Sequence, residues 1–276
     1  VLSTSPGGPQ ELVMAEVEAP RAGPGEVVVK VCAVGINFAD TLIIEDKYQY
    51  KPERPFSPGG ELSGVVSARG DGVENLKIGD RICAYVCWGA LREEIAIPAA
   101  SCVKLPDAMP MDVGAGFMIT YGSSYYALKQ RGVLKPGETV LVTGASGGAG
   151  AAAVELAKAM GARVIAAVSS KDKAEFCRSI GADEALIYPR APLDKDEQKA
   201  LASEIKAIAA PAGLDVVYDA IGGDYAEAAL RALNWDGRFL VVGFAAGIPS
   251  MPLNLPMLKG LILSLIHISE PTRQDR

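Results

Sequence analysis

Short apolar runs separated by turn-forming residues dominate the first part of the chain. Three of these runs, at residues 26–31, 61–66 and 81–86, have the apolar and β-branched character of strands. Glycine and proline recur between them, as at residues 57–60 and 77–80, where they favour turns. The pattern predicts a compact, mostly β domain over residues 1–112.

From about residue 113 the pattern changes to apolar runs that alternate with longer amphipathic segments. Strands are predicted at residues 138–142, 163–168, 214–218 and 238–242, and helices at residues 118–130, 148–160, 171–180 and 225–233. Alternating strands and helices form parallel βαβ units with right-handed crossovers. We therefore predict an α/β chain whose second domain, residues 113–262, is a Rossmann-type parallel sheet.

Composition narrows the class of protein. The 276 residues are 49% hydrophobic and 22% charged, with a net charge of −6, which argues against binding to nucleic acid or to an anionic membrane. No apolar run reaches the length of a membrane span, and no secretory signal is recognisable. The five cysteines are odd in number and scattered, as expected of reduced thiols. We expect a cytoplasmic protein.

A glycine-rich turn follows the first strand of the predicted parallel sheet. Gly144, Gly147 and Gly150 lie between an apolar strand and an alanine-rich helix, and a second strand comes next. This context favours a turn whose backbone N–H groups approach a pyrophosphate at a helix N-terminus. The spacing differs by one residue from the G-x-G-x-x-G form, and the alternative is a close-packed turn without a ligand.

The end of the second strand indicates which dinucleotide is bound. NAD sites place a carboxylate there for the ribose 2′-hydroxyl, whereas this chain has Ser169, Ser170 and Lys173. Hydroxyl and ammonium groups suit a 2′-phosphate, and Asp172 is predicted to lie beyond the strand, in the next helix. The pattern favours NADPH, the alternative being that the lysines belong to a solvated helix face.

Four segments resemble one protein family. Residues 35–40 (GINFAD) with Tyr48 downstream, residues 58–66 (PGGELSGVV), residues 144–150 (GASGGAG) and residues 235–245 (WDGRFLVVGFA) resemble the zinc-independent quinone oxidoreductases of the medium-chain dehydrogenase/reductase superfamily. The resemblance runs from residue 1 to about residue 262. It implies a GroES-like β domain, a Rossmann domain, a substrate cleft between them and a homodimer for the full-length protein.

The resemblance also implies site residues. It assigns the pyrophosphate to Ser146, Gly147, Gly148 and Ala149, the adenosine 2′-phosphate to Ser169, Lys173 and Tyr188, and the ribose–nicotinamide channel to Gly223, Val241, Val242, Gly243 and Phe244. Asn37, Asp40 and Tyr48 match positions at the cleft. Asp46 stands where many relatives have glycine, so the resemblance alone does not predict the conformation of the local turn.

The zinc ligands of related dehydrogenases are replaced in this chain. Zinc-dependent relatives have cysteine at the position of Asn37 and histidine at the position of Gly60. Cys83 and Cys87 form the one close cysteine pair, and neither a second pair nor a nearby histidine completes a tetrahedral set. We predict that the protein has no metal site.

These replacements constrain the chemistry. Alcohol oxidation needs a Lewis acid or a base to prepare the alkoxide, whereas a quinone or conjugated enone accepts hydride directly. The protein then positions the reactants and donates hydrogen bonds to the developing oxyanion, for which Asn37, Tyr48 and Ser123 are the candidates. Tyr48 taken alone also fits a surface-packed aromatic. Two further functions stay open: an enone or 2-enoyl-thioester reductase, and an NADPH-binding protein without turnover.

The last residues, 263–276, resemble the translation of a sequencing-library adapter. We expect them to be non-native, with the native chain cut short near Ile262 and the Rossmann domain incomplete. The alternative is a divergent native tail. Residues 264–276 are then expected to pack poorly and to leave the sheet with an exposed edge. Because the chain starts at Val1 without methionine, we also expect a few residues to be missing there.

Overall fold

The structure, a computed structural model, describes residues 1–266 and divides the chain into two compact units, Val1–Ile119 and a second that begins at Thr120. The sequence pattern placed the boundary at residues 112/113. The segment up to Ile119 belongs to the first unit because two of its backbone groups are bonded there. The carbonyl of Met111 accepts the Ser63 hydroxyl at 2.5 Å, and the Ile119 N–H donates to Glu61 Oε2 at 2.9 Å.

The first unit consists of short strands with two short helices. Its elements are β1 (Leu2–Ser3), β2 (Leu12–Val13), β3 (Glu26–Gly35), α1 (Phe38–Ile44), β4 (Glu61–Arg69), β5 (Arg81–Tyr85), β6 (Glu94–Pro98), β7 (Cys102–Lys104) and α2 (Met111–Ala115). Five strands form an antiparallel sheet in the order β6-β3-β4-β5-β7. Val27, Val29, Leu62 and Ile82 are fully buried in its core, which confirms the predicted β domain.

The second unit alternates strands and helices. Its elements are α3 (Phe117–Tyr125), which starts in the first unit, a π-helical turn (Tyr126–Arg131), β8 (Thr139–Thr143), α4 (Gly148–Ala159), β9 (Arg163–Val168), α5 (Lys171–Ser179), β10 (Glu184–Ile187), α6 (Lys195–Ala209), β11 (Leu214–Asp219), α7 (Tyr225–Ala232), β12 (Leu233–Val241), α8 (Asn254–Lys259) and β13 (Ile262–Leu265). Six parallel strands run in the order β10-β9-β8-β11-β12-β13. This is the strand order of dinucleotide-binding sheets, and it confirms the predicted Rossmann-type sheet.

Both faces of this sheet are buried. Leu141 and Phe239 belong to the core on one face, and Val140, Val142 and Leu240 belong to the core on the other. All five side chains are fully buried. A strand covered on both faces is apolar at every position rather than at alternate ones, which is why the run 140–142 is continuous.

Four elements of this unit were not predicted: β10, α6, α8 and β13. The strand β10 has four residues and a polar start at Glu184, too short for a periodicity signal. The helix α6 begins after Asp194, whose carboxylate accepts the N–H groups of Asp196 and Glu197 at 2.8 Å each. That N-cap was the available sequence signal for the helix.

All of β13 except Ile262 lies inside the segment expected to be foreign. We expected residues 264–276 to pack poorly, and the described residues among them are mixed. Ser264 is 2% exposed and its hydroxyl accepts the Nε–H of Arg131 at 2.9 Å, whereas Leu265 is 70% exposed. The Ile266 N–H also donates to the Val241 carbonyl at 2.9 Å. Residues 267–276 lie outside the described residues.

Among residues 1–266, no helix combines the length and apolar character that crossing a membrane requires.

Candidate functional site

The glycine-rich turn joins β8 to the N-terminus of α4. Gly144 has φ +63°, a left-handed conformation that suits glycine, and its carbonyl accepts the Gly147 N–H at 2.9 Å. A Cβ on Gly150 would lie 2.2 Å from the Gly144 carbonyl oxygen, so a glycine there lets the helix approach the strand. The exposed backbone at the start of α4 belongs to Gly147 and Gly148, as an anion cradle requires.

Two of the residues predicted for a 2′-phosphate, Ser169 and Lys173, are in contact after β9, whereas the ring of the third, Tyr188, packs against Tyr225 with centroids 4.7 Å apart. Lys173 Nζ donates to Ser169 Oγ at 3.0 Å, and Ser170 caps α5 by accepting the Lys173 N–H. Tyr188 follows the last residue of β10, and its N–H donates at 3.0 Å to the carbonyl of Val168, the last residue of the neighbouring strand β9. Burial raises the pKa of Tyr188 to about 12. Asp172 lies within the first turn of α5 rather than at the strand end.

A buried aspartate joins three loops at the same edge of the sheet. Asp219 ends β11 and is fully buried; its Oδ1 accepts the Thr143 hydroxyl at 2.6 Å and the N–H groups of Ile221 and Gly222 at 3.1 Å each. Its Oδ2 makes no hydrogen bond within the described residues, and burial raises the pKa of its carboxyl group. The sequence pattern did not single out Asp219, since an isolated acid at a strand end carries no motif.

The predicted channel residues lie on the loops that Asp219 organises. The Asp219 carbonyl accepts the N–H of Val242 at 2.8 Å and that of Gly243 at 3.2 Å. Val241 ends β12, and Phe244 is 45% exposed. Gly223 has φ +57° and donates its N–H to the Gly247 carbonyl at 2.8 Å. These residues therefore lie close together, next to the cradle strand.

In the first unit, Asn37 lies between two buried carboxylates. Its backbone N–H donates to Asp40 Oδ2 at 2.7 Å, and its Nδ2 donates to Glu61 Oε1 at 2.8 Å. Asp40 is 6% and Glu61 1% exposed. Burial raises the pKa of both carboxyl groups. Asn37 is half-buried, and the sequence pattern did not predict its contact with Glu61.

The other two candidate donors have different surroundings. Tyr48 packs against the apolar cluster of Ile43, Ile44 and Phe56, and burial raises the pKa of its hydroxyl group. Ser123 lies in the second unit, on α3, and is 6% exposed. The structure thus places Asn37 and Tyr48 in the first unit and Ser123 in the second.

Asp46 occupies a backbone conformation that favours glycine, the residue that the family resemblance led us to expect there. Its φ is +57°, the left-handed conformation that glycine adopts freely and aspartate tolerates better than most residues. Its carboxylate accepts Arg54 Nη1 at 2.8 Å, and the same guanidinium donates to the Ile44 carbonyl at 2.9 Å. The ion pair with Arg54 stabilises the turn without a glycine.

The residues around position 60 do not fit a zinc ion. They present an amide at Asn37, two hydrogen-bonded carboxylates and a glycine, whereas zinc sites of this kind use thiolate and imidazole ligands. A Cβ on Gly60 would already lie 3.3 Å from the Cys87 carbonyl oxygen and 3.5 Å from Asp40 Oδ1. Within residues 1–266, His, Cys, Asp and Glu side chains form no group of three that could hold a metal.

Comparison with known proteins identifies the family. The family model of the alcohol dehydrogenase GroES-like domain matches residues 23–107, and the family model of the zinc-binding dehydrogenase matches residues 148–274. Quinone oxidoreductase-like protein 2 of Rattus norvegicus is 37% identical over 268 residues, which cover 96% of this chain and 74% of the relative. The chain belongs to the zinc-independent quinone oxidoreductase-type family of medium-chain dehydrogenases/reductases. It is therefore an oxidoreductase-family chain with a GroES-like first unit.

Two further relatives bear on the chemistry of this quinone oxidoreductase-type chain. The structure of Escherichia coli quinone oxidoreductase complexed with NADPH matches with a TM-score of 0.86 and 30% identity, over 96% of this chain and 80% of that one. The 2-haloacrylate reductase of a Burkholderia species is 33% identical over 254 residues, which cover 88% of this chain and 72% of the relative. The family thus includes proteins named for different acceptors.

Proposed function

We propose that this chain is an NADPH-dependent reductase that transfers hydride to a quinone or a related conjugated carbonyl without a metal ion. The observation that carries the choice of cofactor is the turn after β9. There, Ser169 and Lys173 are hydrogen-bonded at 3.0 Å, where an NAD site needs a carboxylate. An ammonium and a hydroxyl group complement a phosphate. The E. coli relative in complex with NADPH supports this choice.

Each cluster of the second unit has one role in this proposal. Ser146, Gly147, Gly148 and Ala149 bind the pyrophosphate; Ser169, Lys173 and Tyr188 bind the 2′-phosphate; Gly223, Val241, Val242, Gly243 and Phe244 line the ribose–nicotinamide channel. The cradle fits this group because Gly144 and Gly150 allow the backbone of strand and helix to come close. When bound, NADPH supplies the hydride.

The first unit contributes hydrogen-bond donors. Reduction of a quinone places negative charge on a carbonyl oxygen, and a positioned donor stabilises that charge in the transition state. Asn37 Nδ2 carries two hydrogens, of which one is donated to Glu61, so the second is available to a substrate oxygen. Tyr48 and, from the second unit, Ser123 are the other proposed donors. A proton from solvent completes the hydroquinone.

A second candidate function is reduction of an enone or of a 2-enoyl thioester. The sequence similarity to a 2-haloacrylate reductase supports this alternative, since a 2-haloacrylate is also a conjugated carbonyl compound. Both reactions place hydride on a conjugated carbon and charge on oxygen, so the same donors serve either.

Steady-state oxidation of NADPH tests the proposal. The purified chain is assayed with 9,10-phenanthrenequinone, a simple benzoquinone and crotonyl-CoA, with NADH in parallel. We expect turnover with a quinone and a higher kcat/KM for NADPH than for NADH. Faster turnover of crotonyl-CoA would favour the second candidate, and NADPH binding without oxidation by any acceptor would contradict both.

We also propose that the full-length protein is a cytoplasmic homodimer, as the family resemblance implies. The strand β13 forms one edge of the parallel sheet, and Ile262 and Leu265 on it are 55% and 70% exposed. Sedimentation equilibrium of the full-length protein tests this proposal, and a monomer at micromolar concentration would contradict it.

A further inference from the structure

Glu61 is a buried acid whose carboxylate accepts hydrogen bonds from the Asn37 side chain and from the backbone N–H groups of Met118 and Ile119. It is the first residue of β4 and is 1% exposed. Oε1 accepts from Asn37 Nδ2 at 2.8 Å, and Oε2 accepts from the Ile119 N–H at 2.9 Å. Taking a carboxylate out of water is costly, so a carboxylate retained at such a position calls for a reason other than filling space.

The bond to Glu61 sets the orientation of the Asn37 amide. A carboxylate only accepts hydrogen bonds, whereas an amide donates from its nitrogen and accepts at its oxygen. Turning the amide by half a rotation would place Asn37 Oδ1 against Glu61 Oε1, two acceptors facing each other where the donor now lies at 2.8 Å. The backbone of Asn37 is held as well, since its N–H donates to Asp40 Oδ2 at 2.7 Å. The direction in which the second Nδ2–H bond points is therefore fixed.

We propose that Glu61 is a positioning residue, which promotes hydride transfer by holding the Asn37 amide with its second Nδ2 hydrogen directed at the substrate oxygen. This inference rests on the proposed function, in which Asn37 donates to that oxygen. Preorganised donors accelerate a reaction more than donors that must reorient, so losing the hold on Asn37 lowers turnover without weakening cofactor binding.

Glu61→Gln separates this role from packing. Glutamine has nearly the same volume, and its carbonyl oxygen can still accept the Ile119 N–H. Its amide group then faces Asn37 with a donor, so the favoured partner becomes Asn37 Oδ1 and the Asn37 amide turns over. The backbone N–H groups and Asn37 thus keep a hydrogen-bonding partner at position 61, and turning the Asn37 amide also takes its Oδ1 away from the Asp40 N–H of the capping box. The orientation of Asn37 is what changes.

A double-mutant cycle tests the inference in the full chain. E61Q, N37A and the double variant are assayed with NADPH and the best quinone, alongside NADPH titration and thermal unfolding. We expect E61Q to lower kcat about tenfold, on the order of one strong hydrogen bond, with unchanged NADPH affinity. In the N37A background, E61Q should have no further effect.

Glu26→Gln is the matched control. Glu26 also begins a strand of the same sheet and accepts a backbone N–H, from Gly23 at 3.0 Å. The kcat of this variant should equal that of the unmutated chain.

A second measurement is independent of turnover. The side-chain amide signals of Asn37 in an ¹⁵N–¹H NMR spectrum are assigned by their loss in N37A, and E61Q should shift them. Unshifted signals, an unchanged kcat in E61Q, or an equal loss of kcat from E61Q in the presence and absence of Asn37 would each overturn the inference. Wild-type turnover in N37A would overturn both this inference and the donor role of Asn37, whereas failure of the proposed function shows as absence of any quinone or enone reduction by the unmutated chain.

Discussion

Gly150→Ala tests whether the cradle depends on a close approach of helix and strand. The new Cβ would lie 2.2 Å from the Gly144 carbonyl oxygen and 2.7 Å from Ala145 Cα. Both are backbone atoms, so neither can rotate away, and the start of α4 has to move by about 1 Å to reach ordinary contact. Overpacking of this kind lowers the free energy of unfolding by about 1–3 kcal/mol. The higher helix propensity of alanine offsets at most about 1 kcal/mol of that loss.

The clash is therefore larger than the gain in propensity. We expect the melting temperature to fall by up to roughly 8 °C, from a net cost of up to about 2 kcal/mol at about 2–4 °C per kcal/mol. Displacing the helix N-terminus also weakens charge-assisted bonds to the pyrophosphate, each worth about 1.5–3 kcal/mol, so the Kd for NADPH should rise at least tenfold. Thermal unfolding followed by circular dichroism and a fluorescence titration measure the two effects.

Gly148→Ala is the control for stability. Its Cβ would meet only Thr120 Cγ2, at 3.2 Å, a side-chain atom that can rotate away, so its melting temperature should change by less than that of Gly150→Ala. If Gly150→Ala melted at or above the unmutated chain and bound NADPH with the same Kd, the close approach would not be what the glycine provides.

Three further predictions concern the second unit. Lys173→Ala should weaken NADPH binding by about 1–3 kcal/mol and leave NADH binding nearly unchanged, measured by titration with both cofactors; equal losses would contradict the 2′-phosphate role. Burial raises the pKa of Asp219 above that of an ordinary aspartate, so the folded chain binds the proton more tightly than the unfolded chain does. The stability from this group is therefore lost as pH rises through the raised pKa. Asp219→Asn should therefore melt higher than the unmutated chain at neutral pH by a margin that shrinks in acid, and a margin independent of pH would refute this. Tyr218→Phe removes the 2.9 Å contact with Ser124 and should cost about 0.5–1.5 kcal/mol in the free energy of unfolding, measured by urea denaturation, because Ser124 keeps its bond to the Ala149 carbonyl at 3.0 Å.

The central strands of the parallel sheet were predictable because they are buried on both faces. A continuous apolar run such as residues 140–142 reports that burial directly, and the glycine spacing reports the turn that follows. The short strand β10 could not be found this way, since four residues carry too little periodicity.

The candidate site was predictable where one segment carries the chemistry. Ser169 and Lys173 are four residues apart and their contact follows from the start of a helix. Asn37 and Glu61 are 24 residues apart, and only the pairing of β3 with β4 brings the end of one strand to the start of the other. Asp219 gave no sequence signal, because its role depends on bonds to β8 and to the loop after β12 that form only in the folded sheet.

The contact between Lys173 and Ser169 has a consequence for how cofactor preference can evolve. Both residues belong to one turn and the helix after it, and neither takes part in the bonds with which Asp219 joins the loops after β8, β11 and β12. Substitutions in this turn therefore leave that network unaltered. If Ser169 and Lys173 bind the 2′-phosphate as proposed, a lineage could exchange these two residues through changes within about five consecutive codons, with Tyr188 and the reacting end of the cofactor site left unchanged.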